Sequence, residues 1–137
     1  MGTGDTEEQS LGSVVWIGIG GAVGAVLRHV VSGHIQGQFR LGGFPYGTLA
    51  VNVIGCLLIG LFSQVAQRPG RFTSEGVLFL FVGMLGAFTT FSTFGKETVD
   101  LLQSGRTVAA LANVGIHVVA GLAAVGGGYE LGRFLQW

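Results

Sequence analysis

The chain has 137 residues, enough for one domain of ordinary size. Only 7 basic and 7 acidic side chains are present, 10% of the chain, where soluble domains carry about 25%. The formal net charge is zero and no basic cluster exists, which argues against a nucleic-acid partner. One cysteine, Cys56, excludes an intrachain disulfide, and no cluster of Cys and His with metal-ligand spacing accompanies it.

The charges leave four long uncharged stretches: Leu11 to Leu27, Leu41 to Gln67, Gly76 to Gly95 and Thr107 to Tyr129. A helix crosses a hydrocarbon core of about 30 Å with about 20 mostly apolar residues. The pattern therefore predicts a single all-α membrane domain over 1–137, with spans at about 12–32, 45–67, 76–95 and 107–130. A soluble globular enzyme is excluded. The acidic N-terminus, MGTGDTEEQS, has no positive n-region, so a cleaved signal peptide is not expected.

Span 1 holds glycines at small-xxx-small spacing, Gly20 and Gly24, which suit close backbone approach. Its one charge, Arg28, either snorkels to the interface or supplies potential that attracts an anion. Span 2 is expected to carry Pro45 in its first turn, and Gly43 and Gly47 repeat the small-residue spacing. Thr48 and Asn52 share a face at i,i+4. Asn52 is either helix–helix glue or a pair of amide donors for an anion. Cys56, one turn on, reads as packing.

Span 3 carries the strongest signal, GMLGAFTTFSTF over 83–94. Thr, Ser and Gly weaken a helix there, so it is expected to break or loosen around 86–90. Non-helical backbone at that depth survives only inside protein or along a cavity, and its freed carbonyls suit a cation. Phe91 and Phe94 are neighbours at i,i+3. They either pack as an ordinary aromatic pair or aim electropositive ring edges at a small anion. Span 4 places Asn113 and His117 on one face, as an interhelical hydrogen bond or as a polar track beside the phenylalanines. A titrating His117 would make transport depend on pH near neutrality. Lys96 and Glu97 are expected at the membrane surface, as vestibule or solvated residues.

Lys and Arg normally fix orientation by their excess on the cytoplasmic side. Here one side has Arg68, Arg71 and Arg133, and the other Arg40, Lys96 and Arg106, with Arg28 as a further contributor. So even a count is compatible with one orientation set by context, or with insertion both ways and an antiparallel homodimer.

Three segments resemble the Fluc/CrcB family of fluoride channels. These are GGAVGAVLR over 20–28, GTLAVNVIG over 47–55 and GMLGAFTTFSTF over 83–94. The resemblance implies a dual-topology antiparallel homodimer with two fluoride pathways. It places Asn52, Phe91 and Phe94 along the pathway and assigns the hydroxyls of Ser92 and Thr93 to a polar track. It also implies a central structural sodium ion held by the backbone carbonyls of Gly86 and Thr89 from both subunits. Gly95, Asn113 and His117 depart from the family's usual residues. The function implied is passive export of fluoride across the cell inner membrane, without enzymatic chemistry. The alternatives are a small four-span exporter of multidrug type and a structural assembly subunit. The first needs a carboxylate embedded in the membrane, and the uncharged stretches contain none.

Overall fold

The computed structural model describes residues 3–39 and 43–135, with side chains from residue 10 onward. Arg40, counted above among the loop charges, lies outside the described residues. The described chain is helical, with four apolar segments long enough to cross a membrane: Ser10–Gln38, Tyr46–Ala66, Ser74–Gln103 and Thr107–Phe134. Helices are what the bilayer demands, because every backbone N–H and C=O there must be satisfied inside the protein.

Helix α1 is Thr3–Gln38 and α2 is Tyr46–Ala66. Pro45 precedes α2 rather than entering its first turn, and its carbonyl accepts the first helical bond from Leu49. Pro45 has no side chain to cap with, so Gln36 of α1 does the work: its Oε1 accepts from Gly47 N at 3.0 Å and its Nε2 donates to Phe44 O at 3.1 Å. Gly43 stands before the helix at φ 58°, a left-handed backbone that favours glycine. Of the expected Gly43/Gly47 pair only Gly47 packs on a neighbouring helix, against Ser32.

The third span starts behind Thr73, whose hydroxyl accepts from Gly76 N. Its first half, α3, covers 74–88. One α-helical turn (Ser74–Val77) leads into π-helical Leu78–Leu85 and a final turn at Gly86–Phe88. The Gly86 amide accordingly reaches back five residues to Phe81 O. Thr89 (φ −86°, ψ 159°) and Thr90 (φ −152°, ψ 109°) are extended. Helix α4, Phe91–Gln103, follows, and α5 is Thr107–Phe134. The expected limit at residue 95 is too short: α4 runs on to 103, so Lys96, Glu97 and Asp100 belong to the third helix.

Two seams hold the bundle together. On one, Gly20 and Gly24 of α1 lie against the backbone at Phe79 and Met84, and Gly83 lies against Ile17 and Gly20; a side chain at any of these would strike main chain. On the other, α2 and α5 run parallel, since Gly121 meets Cys56, Gly128 meets Leu57 and Leu61, and Gly132 meets Gln64. Gly60 presses on Val125 from the α2 side. Of the Gly126–Gly128 triplet, only Gly128 packs; the first two face open space. Close approach of this kind supplies van der Waals contact where lipid offers no hydrophobic driving force.

Candidate functional site: a cavity at the helix interruption

The interruption is built from side chains that replace helical hydrogen bonds. In a continuous helix the Thr90 amide would bond Gly86 O. Instead it donates to Asn52 Oδ1 at 2.8 Å, while Asn52 Nδ2 donates to Thr90 O at 3.2 Å. Asn52 thus acts as a surrogate peptide group, clamping the extended residue from α2. The Thr93 amide, which would bond Thr89 O, goes to Thr90 Oγ1 at 3.2 Å. That bond is an N-cap for α4. Thr90 Oγ1 also donates to Thr93 Oγ1 at 2.9 Å and lies 3.3 Å from Ser92 Oγ. The consequence is specific: the carbonyls of Gly86 and Thr89 lose the amides that a regular helix would send them.

Gly55 explains why α2 can come so close. A Cβ there would collide with the Thr89 methyl. Asn52, one turn earlier, then reaches the Thr90 backbone.

A cavity of about 410 Å³ opens beside this break. Its wall brings together Asn52, Gly86, Thr89, Phe91, Phe94 and His117, with Cys56 also on it. The two phenylalanine rings have centroids 5.4 Å apart at 51°. Phe91 is 82% exposed on the single chain. Ser92 and Thr93 do not line the cavity; they form the hydroxyl cluster at the start of α4.

The two polar residues of α5 separate. Asn113 is 0% exposed and sits between helices, its Nδ2 donating to Thr98 Oγ1 at 2.8 Å, which in turn donates to Phe94 O. It is interhelical glue and stands outside the cavity wall. His117 is on the wall, its ring 4.5 Å from that of Phe94. Its Nδ1 lies 2.9 Å from Asn113 O, and a carbonyl only accepts, so Nδ1 carries the proton. Arg28 is half-buried, away from both cavities, and makes no hydrogen bond or ion pair among the described residues.

The sequence does not single out Glu97 as a site residue, since just past the uncharged stretch it reads as a vestibule or solvated side chain. Thr48 Oγ1 donates to its Oε1 at 2.7 Å, and its Oε2 is buried without a partner among the described residues. Both residues line a second, more polar cavity of about 290 Å³ with Ser32, Asp100 and Arg106. The signal available in the sequence was the i,i+3 step from Phe94 to Glu97, which keeps Glu97 near the same helix face. Lys96, by contrast, is solvated and paired with Asp100 at 2.6 Å.

A family model described as CrcB-like protein, Camphor Resistance (CrcB), matches residues 15–129. The chain belongs to the CrcB family. Curated relatives agree over most of its length. One from Maridesulfovibrio salexigens, named fluoride-specific ion channel FluC, is 39% identical over 121 residues, 88% of this chain and 95% of that protein. A namesake from Syntrophotalea carbinolica is 43% identical over 122 residues, 89% and 98% of the two chains. FluC 1 of Methanosarcina acetivorans is 41% identical over 113 residues, 82% and 85%. With its four apolar helices, this CrcB-family chain is a multi-pass membrane protein. All the lining residues named above fall inside the matched region.

Proposed function

We propose that this protein is a passive, selective fluoride channel of the inner membrane, working as an antiparallel homodimer with two pathways. The observation that carries the reading is the cavity that unites Asn52, Phe91 and Phe94 at the helix interruption. Its wall is mostly apolar, so an anion that enters must exchange hydration for a few donors and aromatic ring edges. Small, strongly hydrogen-bonding fluoride suits such a lining, and the names of the relatives point to the same ion. An ion running down its gradient needs no covalent chemistry, so the protein is a channel and not an enzyme. The physiological sense is disposal: HF crosses lipid uncharged, dissociates inside, and leaves fluoride that needs an exit.

The homodimer reading is supported by Phe91, a large ring 82% exposed on α4 at the edge of the cavity. A second copy seated there would close the open side. The even distribution of basic residues supports insertion in both orientations.

A structural sodium ion fits the break. Gly86 and Thr89 offer carbonyl oxygens without their helical amides, the hard-oxygen donor set that interrupted membrane helices use for sodium. Two such carbonyls per subunit would hold it, and the ion would supply positive charge that ties the two copies together. What the chain does for itself is hold these carbonyls in place, through Asn52 and the Thr90 cap.

The test is flux. Purified protein in liposomes loaded with potassium fluoride or potassium chloride is given valinomycin, and released anion is followed with an electrode. Fluoride released within seconds, with chloride retained, is the expected result. Retention of both ions by folded, dimeric protein would overturn the channel reading.

A further inference from the structure

The cavity wall contains one group that the fluoride reading leaves unexplained. His117 Nε2 is buried and has no hydrogen-bond partner among the described residues. Because Nδ1–H is committed to Asn113 O, Nε2 of the neutral ring carries a lone pair. A buried acceptor left unpaired is unfavourable. A lone pair beside an anion pathway also repels the anion. One proton reverses both: Nε2–H becomes a donor, and the ring becomes cationic.

We propose that His117 is a proton-dependent anion station, its protonated Nε2 donating to a small anion held beside the Phe94 ring. The inference rests on the fluoride-channel reading and adds to it a residue that sets affinity. The ring is placed for the role by two contacts. The backbone of its own helix fixes one nitrogen, and Phe94 of α4 lies at 4.5 Å. The groups that face it otherwise do not compete for the proton. From α2 come Asn52, whose amide is engaged with Thr90, and the Cys56 thiol; from α3 come Phe81, Leu85 and Gly86. On α4 the Glu97 carboxylate lines the other cavity and is held by Thr48. Lys96 and Asp100 pair with each other on the exposed side. Among the described residues, no carboxylate, ammonium or guanidinium lines the cavity itself. An imidazole gains its second proton as pH falls, so the station fills toward acid pH.

The experiment measures the fluoride concentration that half-saturates efflux, at pH 5.5 and pH 8, in wild type and His117→Gln. Protein-free vesicles at each pH subtract the leak of undissociated HF. Wild type is expected to half-saturate at about tenfold lower fluoride at the acid pH, the strength of one charge-assisted hydrogen bond. His117→Gln, whose amide does not titrate, is expected to give one value at both. A second readout needs no variant: by linkage, saturating fluoride should raise the titration midpoint of the His117 ring in nitrogen NMR. Equal half-saturation in wild type at both pH values, or the same pH dependence in His117→Gln, would overturn the station and leave the channel intact. Absence of protein-dependent fluoride flux at either pH would overturn the channel reading, and the station with it.

Discussion

The α2–α5 seam and the interruption of the third span meet the same bilayer demand by opposite means. At the seam both helices run unbroken, so they need only shape, and glycines at 60, 121, 128 and 132 provide it. At Thr89 and Thr90 the helix gives up its own bonds, and side chains must replace them one for one. The seam is therefore sensitive to volume and indifferent to chemistry. The interruption is sensitive to chemistry at a single residue, Asn52, because both its amide atoms are in use.

The largest effect should come from volume at the seam. A side chain on Gly128 would strike Leu57 O and crowd Leu61 N, both main chain and neither able to yield like a side-chain tip. Gly128→Val is expected to destabilise the protein by about 3 kcal/mol or more, read as loss of a monodisperse species in detergent. Gly127→Val, on open space one residue earlier, is the control and should stay folded. If both behave alike, the seam is not what holds α2 to α5.

Chemistry at the interruption comes next. Asn52→Leu keeps the bulk but strands the Thr90 N–H and C=O, each unfavourable by about 1–3 kcal/mol when unpaired. The expected outcome is a clearly lowered melting temperature together with loss of fluoride flux. Asn52→Asp separates the two atoms: its carboxylate still accepts from Thr90 N but sets an oxygen against Thr90 O. It should unfold less readily than Asn52→Leu and conduct no better. A stable Asn52→Leu with normal flux would remove the clamp from the account.

These two regions were not equally legible in the sequence. Four apolar spans follow from where the 14 charges fall, and the helices found differ from that reading mainly at their ends. The seams were half legible: small-xxx-small spacing marked Gly20 and Gly24, yet spacing alone could not tell Gly128, which packs, from Gly126 and Gly127, which do not. The π-helical stretch at Leu78–Leu85 had no signal in LFLFVGML, because an apolar run reads the same at either helical pitch. Among the polar residues the sequence marked side chains but not their partners. Asn52, weighed as helix–helix glue or as amide donors for an anion, is spent largely on Thr90. Asn113 and His117 share a helix face, but one turn along α5 separates a residue locked onto Thr98 from one on the cavity wall. Such partners are set by which helices touch, a long-range property that i,i+4 spacing does not carry.

The smallest effect probes the face of α4 that the single chain leaves bare. Gly95 lies one turn after Phe91 on the same side, and a Cβ there meets nothing within 4 Å. Inside one subunit, Gly95→Ala should therefore be favourable by up to about 1 kcal/mol, since glycine is the poorer helix former. If a second copy covers Phe91, the added methyl instead enters an interface, and crowding there should weaken the dimer by about 1 kcal/mol. The proposed homodimer predicts the second result, seen as a several-fold rise in the dimer dissociation constant in detergent or lipid. A higher melting temperature with unchanged association would mean that lipid, and not a partner, occupies that face. The cavity wall would then be complete in one chain, and the 82% exposure of Phe91 would need another explanation than a second subunit.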